Sequence, residues 1–202
     1  KVFLSENINK VSQIVSHLAK KKIGSILVFV GNSPVTNIVT GGKKLSTEID
    51  SDIIESIFDS RTPAHDGAML IENGKITHIS CQLPLSKGTQ KPLNLGTRHS
   101  AILGLSERSD SFSIVTSEER GTISIAQNGL LLYDINLEDL EKKLTFFFSK
   151  KSKEIKPQKK WFSLFSRNIL LKVSSLFIAM TLWAAKTYDP GTSQASLVFP
   201  IE

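Results

Sequence analysis

"TPAHDGAMLIENGKITHISCQL", residues 62–83, decides the fold. Its second half is a hairpin written in residue types. "AMLI" and "ITHISCQL" are apolar, strand-forming runs, and "ENGK" lies between them. Asn73-Gly74 supplies a tight turn whose twist matches that of paired strands. Ahead of the first strand stand an imidazole, a carboxylate and a glycine: His65, Asp66 and Gly67. A carboxylate at a strand entrance is a hydrogen-bond acceptor, a metal ligand or a general base. An adjacent imidazole can hold a divalent metal or orient the carboxylate. The glycine lets a bulky ligand approach the backbone. Asp-Gly is also commonly a plain turn.

Working outward, "NINKVSQIVSHLAKKK" places Val11, Ile14, Val15 and Leu18 at helical spacing. "SILVFV" (25–30) reads as a buried strand and "TNIVT" (36–40) as a second, closed by Gly41-Gly42. "STEIDSDIIESIFDS" (46–60) reads as a helix with Ser46 or Thr47 at its cap. A polar loop (86–96) leads to a helix in "TRHSAILGLSE". "SFSIVTSE", "TISIAQ" and "LLLYDI" read as three strands, with turns at Arg120-Gly121 and Asn128-Gly129. "NLEDLEKKLTFFF" is a last helix, capped by Asn136. Residues 1–148 are therefore expected to form a mixed α/β domain, with a largely antiparallel sheet flanked by helices.

The chain has 202 residues and a net charge of +6. Much of the excess lies in Lys142, Lys143, Lys150, Lys151, Lys153, Lys156, Lys159 and Lys160, around an expected basic linker at 149–166. Those lysines fall largely outside the expected core of the domain, and no basic face interleaved with aromatics appears, so nucleic acid is not an expected partner. The lone Cys81 excludes an internal disulfide and any cysteine-only metal site, and suits a reducing compartment. "KVFLSENINK" is polar and starts without Met, so a longer parent chain is expected.

"NILLKVSSLFIAMTLWAA" (168–185) is almost wholly apolar, near the lower limit for a spanning helix. Lys172 can snorkel, and Trp161, Phe165, Trp183 and Tyr188 flank the run like an aromatic belt. A transmembrane helix is expected over 167–187. The lysine run places the domain in the cytoplasm and residues 188–202 outside.

Two more stretches carry chemistry. In "GTRHSAILG", Gly96 precedes Thr97, Arg98 and His99 at an expected helix N-terminus. Free N–H groups, a hydroxyl, a guanidinium and an imidazole there suit a phosphate chain. In "TSEERG", Ser117 ends a strand before two glutamates. A hydroxyl can donate to phosphate, and a carboxylate can hold a metal or a ribose hydroxyl. His17 and His78 lie inside helix and strand patterns and are assigned no chemistry. The combination points to a nucleotide triphosphate and metal site bordering one sheet.

"HDGA", "LGTRH" and "IVTSEERGTISIAQNG", in this order and spacing, resemble the diadenylate cyclase domain over roughly residues 8–148. "IGSILVF" and "CQLPLS" fit the same family. The resemblance implies that two ATP molecules condense to cyclic di-AMP with release of two pyrophosphates, between two facing cyclase subunits. It implies Asp66 beside the attacking 3′-hydroxyl, and His65 with Asp66 on Mn²⁺ or Mg²⁺, a nitrogen ligand favouring Mn²⁺. Gly67 and Ala68 would border the ribose, and Gln82 and Leu83 the adenine. Gly96, Thr97, Arg98, His99, Ser100, Ser117 and Glu119 would hold the phosphates or metal. Asp66, Gly67, Arg98 and His99 form the catalytic set.

The family pattern is Arg-His-Arg, where this chain has Arg98-His99-Ser100. A charge-assisted contact contributes on the order of 1.5–3 kcal/mol, so its loss costs one or two orders of magnitude in rate unless Lys87, Lys91 or Arg120 replaces it. Gln82 stands where related cyclases often carry a stacking aromatic. The alternative is a catalytically degenerate nucleotide-binding and dimerisation module. The span and "VFPIE" are similar to the start of a YbbR-type protein, a membrane partner of such cyclases.

Overall fold

A computed structural model of the chain describes residues 2–87, 96–154 and 169–188. The chain divides into two units, residues 1–154 and 155–202. In the first, seven strands form one mixed sheet in the order β2-β4-β3-β1-β5-β6-β7. They are β1 Ser25–Phe29, β2 Thr40–Glu48, β3 Ala68–Glu72, β4 Lys75–Gln82, β5 Phe112–Thr116, β6 Ile123–Gln127 and β7 Leu130–Leu132. Only β1 and β3 pair in parallel; the other neighbours are antiparallel. The helices of this unit are α1 Val2–Lys20, α2 Ser51–Phe58, α3 Thr97–Ser106 and α4 Leu137–Glu154.

The strand period of two builds three layers. In β1, Leu27 and Phe29 join one core with Val15 and Leu18 of α1 and Leu140 and Leu144 of α4. Ile26 and Val28 face the other way and join Ile102 and Leu105 of α3. Burying each such side chain contributes about 1.5–3 kcal/mol. The mixed, largely antiparallel sheet between helices is as the sequence leads one to expect. Both Asn-Gly hairpins form: Asn73 and Gly74 have φ of 51° and 78°, Asn128 and Gly129 51° and 72°. Two consecutive positive φ values are the mark of the tight hairpin turn.

Some boundaries differ. The second strand is not "TNIVT" but Thr40–Glu48, running through the two glycines. Gly42 approaches β4 so closely that a Cβ would lie 2.5 Å from Cys81 Sγ. Pairing with β4, not local propensity, makes this strand. Ser46 and Thr47 therefore lie in β2, and α2 is capped by Asp50, whose carboxylate accepts from Asp52 N and Ile53 N. α4 continues to Glu154, so residues 149–154 are helix and not linker. Its start is capped by Asn136, which accepts from Asp139 N at 2.8 Å. Near its end, Lys151 Nζ donates to the Val30 carbonyl at 2.6 Å. Burial pushes this ammonium's pKa down, while Glu72 and Asp110 oppose that shift.

In the second unit, α5 spans Ile169–Thr187. Among the described residues no helix is long and apolar enough to cross a membrane. That corrects the span expected over 167–187. Lys172 and Lys186 confine the uncharged run to 173–185, and Ser174, Ser175 and Thr181 lie within it. A span needs roughly 20 predominantly apolar residues. The rest of the expected linker, and the expected external region beyond Tyr188, lie outside the described residues.

Candidate active site

Three segments meet at one open cleft of ≈ 760 Å³, inside the range of about 300–1,000 Å³ usual for ligand pockets. Asp66 comes from the entrance to β3. Gly96, Thr97, Arg98 and His99 come from the start of α3. Ser117, Glu118, Glu119 and Arg120 come from the β5–β6 turn, with Ser124, Tyr133 and Asp134 beside them.

The start of α3 is open. Gly96 is its N-cap and offers no side-chain hydrogen bond to the first turn. The first-turn N–H groups, which have no acceptor within the helix, carry the positive end of its dipole. Arg98 Nη1 lies 2.7 Å from Glu118 Oε2. A Cβ on Gly24 would come within 2.7 Å of that same nitrogen, so the pair rests against a bare backbone. His99 Nε2 lies 3.1 Å from the Ser124 hydroxyl, and its ring tilts against Tyr133 with centroids 5.5 Å apart. Burial first, and then the charge of Arg120, hold the imidazole pKa below its ordinary value. Both effects favour the neutral imidazole.

The β5–β6 turn is fixed from within. Ser117 N donates to Thr122 O at 2.9 Å, and Gly121 N to Ser117 O at 2.9 Å. Ser117 Oγ accepts from Arg120 N at 3.2 Å, which leaves its own proton available to a ligand. Below the turn, Thr116 Oγ1 donates to Ile23 O at 2.5 Å and accepts from Ser25 N at 3.1 Å. This ties the end of β5 to the start of β1.

Residues 12–131 match the family described as DAC, DisA bacterial checkpoint controller nucleotide-binding. The chain belongs to this family. It is 34% identical to the cyclic di-AMP synthase CdaA of Bacillus subtilis (strain 168) over 149 residues, which are 74% of this chain and 55% of that protein. Thus the chain spans about half the length of that relative. The fold is similar to the crystal structure of DacA from Staphylococcus aureus, with a TM-score of 0.70 and 34% identity over 73% of this chain and 99% of that one. It is also similar to a hypothetical membrane spanning protein from Bacillus cereus, with a TM-score of 0.61 and 37% identity over 63% of each chain.

Of the residues singled out from the DAC resemblance, Asp66, Gly96, Thr97, Arg98, His99, Ser117 and Glu119 line the cleft. Gly67, Ala68, Gln82, Leu83 and Ser100 do not. Gly67 has φ +101°, and a Cβ there would lie 2.7 Å from the Ser80 carbonyl carbon. Its missing side chain makes room for the backbone of β4. Ala68 is 1% exposed in the core facing α3. Leu83 packs on that same core, and Gln82 is exposed.

Ser100 is 1% exposed, and among the described residues its Oγ has no hydrogen-bond partner. It cannot reach a phosphate from there. A buried hydroxyl without a partner costs about 1–3 kcal/mol. Ser100→Ala is therefore expected to leave turnover unchanged and to raise the melting temperature by a few degrees in a thermal scan. A melting temperature that falls would show that the hydroxyl is in fact satisfied.

The metal pair fits in part. His65 is half-buried and outside the lining, and its Nδ1 donates to the Thr62 carbonyl at 2.6 Å. That bond leaves Nε2 as the free acceptor, the arrangement a metal-binding imidazole needs. Asp66 is exposed in the cleft. Among the described residues no group of three or more His, Cys, Asp or Glu side chains could hold a metal. Substrate oxygens would have to complete the shell. Among the described residues lining the cleft are four carboxylates, Asp66, Glu118, Glu119 and Asp134, and two guanidinium groups, Arg98 and Arg120.

Glu118, Tyr133 and Asp134 belong to the cleft but not to the expected set. Glu118 sits inside "TSEERG" and is legible there. Tyr133 lies within "LLLYDI", which reads simply as a strand, and nothing local marks it.

Proposed function

We propose that this chain is a diadenylate cyclase, joining two ATP molecules into cyclic di-AMP with release of two pyrophosphates. The convergence of Asp66, the open N-terminus of α3 and the Ser117 turn on one cleft supports the reading. Two such clefts must face each other in a dimer, each holding one ATP. The 3′-oxygen of one nucleotide attacks the α-phosphorus of the other, and pyrophosphate leaves. The same step in the opposite sense closes the ring.

Asp66 accepts the proton of the 3′-hydroxyl. The free N–H groups of α3 and the Thr97 hydroxyl bind phosphate oxygens. The Ser117 hydroxyl donates to the triphosphate, and Arg98 and Glu119 flank it. Neutral His99, held by Ser124, shapes the wall beside the phosphates. His65 Nε2 and the Asp66 carboxylate would hold Mn²⁺ or Mg²⁺, which when bound neutralises phosphate charge. The rest is positioning and charge stabilisation.

Incubation of the purified chain with ATP and Mn²⁺, with products read by mass, tests this. Cyclic di-AMP and pyrophosphate are expected. Bound ATP without product would instead favour the non-catalytic binding and dimerisation module. Two observations favour that second reading: the burial of Ser100 and the closed Arg98–Glu118 pair.

We also infer membrane association of the second unit, with the cyclase unit on the cytoplasmic side and a YbbR-type region after residue 188. It is supported by the exposed apolar side chains of α5, among them Leu176, Phe177, Ile178 and Trp183. Co-sedimentation with phospholipid vesicles is expected; a chain that stays in the supernatant would remove the inference.

A further inference from the structure

We propose that Arg120 binds the β- and γ-phosphates of ATP, the part that leaves as pyrophosphate. The proposal rests on the cyclase reading and gives a role to a residue of "TSEERG" outside the expected site set.

The cleft has two guanidinium groups, and they are not equivalent. Arg98 is engaged: it sits 2.7 Å from Glu118, against the backbone of Gly24. The Arg120 side chain has no ion pair or hydrogen bond to any described residue. A free guanidinium lining the cleft is the group best suited to a bidentate contact with an oxyanion.

Its position is fixed although its tip is free. The Arg120 N–H is held by Ser117 Oγ at 3.2 Å, and Gly121 N donates to Ser117 O at 2.9 Å. Gly121 has φ +70°, and a Cβ there would lie 2.6 Å from the Ala19 carbonyl oxygen. The turn is thus pressed onto the end of α1 and cannot shift freely. From this base the Arg120 charge reaches His99 at the start of α3 and disfavours its protonation. Arg120 lines the same cleft as Thr97 and His99 of α3 and Ser117.

The need for it is also visible. Ser100 follows Arg98-His99 but turns into the protein, so α3 brings only one guanidinium to the cleft. Four carboxylates line the same space. A polyphosphate entering there requires every available cation, and Arg120 is the uncommitted one among the described lining residues.

The test uses the full chain with Mn²⁺ and two probes, pyrophosphate and cyclic di-AMP, whose inhibition constants are compared. Cyclic di-AMP lacks the β- and γ-phosphates. Arg120→Ala is expected to weaken pyrophosphate binding about tenfold or more and to leave cyclic di-AMP within about twofold. Arg120→Lys is expected to restore part of the loss, since it returns the charge without the fork. An Arg120→Ala chain that weakens both probes equally, or neither, would overturn the proposal. A wild-type chain that binds neither ATP nor cyclic di-AMP would overturn the cyclase reading itself, and the proposal with it.

Discussion

Asp66→Asn is expected to lower cyclic di-AMP formation by roughly 10²–10⁴-fold, the usual contribution of a positioned general base. ATP binding should stay within a few-fold. The substitution keeps the shape of the side chain and removes its charge and its basicity. The fold has little reason to respond: Asp66 is exposed in the cleft, and its neighbours Gly67 and His65 are fixed by other contacts. Gly67 is packed on the backbone of β4, and His65 is tied to the Thr62 carbonyl. The measurement is single-turnover product formation beside an equilibrium ATP titration. Turnover at the wild-type rate would take the proton-accepting role away from Asp66. A large loss of ATP affinity would recast it as mainly a ligand for the metal–nucleotide complex.

Gly104→Ala is expected to destabilise the protein, against the direction helix propensity gives. In an exposed helix interior, alanine is better than glycine by about 1 kcal/mol. Here an added Cβ would lie 2.2 Å from the Pro84 carbonyl oxygen and 2.5 Å from Leu85 C and Ser86 N. All three are backbone atoms, and the segment cannot swing away cheaply. Ser86 N donates to Ser100 O at 3.0 Å, and Ser86 Oγ donates to Glu107 Oε1 at 2.5 Å. These clamps hold the segment onto α3 on both sides of Gly104. Either they break or the helix shifts. Overpacking costs about 1–3 kcal/mol, and each lost hydrogen bond about 0.5–1.5 kcal/mol. A net loss of about 3 kcal/mol lowers the melting temperature by roughly 6–12 °C in a domain of this size. ATP affinity should fall as well, because α3 carries Thr97, Arg98 and His99 at its open end. A rise in melting temperature would mean that propensity wins and the segment is soft.

Local chemistry made much of this legible. The two Asn-Gly turns, the apolar run of β1 and the Asn136 cap act over a few residues, and the sequence shows them directly. Asp66, Thr97, Arg98, His99, Ser117 and Glu119 were likewise marked by residue type and neighbourhood, and the structure brings them to one cleft. What stayed hidden depends on contacts between distant segments. β2 exists because β4 pairs with it. Gly67 reads as space for a ligand until β4 is seen lying against it. Ser100 lies in a motif that reads as phosphate-binding, yet helix geometry turns it away from its neighbours. Arg98 reads as a phosphate contact, and its ion pair with Glu118 against Gly24 depends on distant segments.

The bond from Lys151 to the Val30 carbonyl has a mechanical consequence. Tension on the chain beyond residue 154 enters the first unit through α4. Lys151 passes part of that load to the far end of β1, while the cleft adjoins the near end, where Ser25 meets Thr116. The strand between them spans about 15 Å at the usual rise per residue, and it lies mid-sheet between β3 and β5. A pull is therefore absorbed as shear across helices and paired strands, remote from the reacting groups. The unit can be moored by its last helix without bending the cleft.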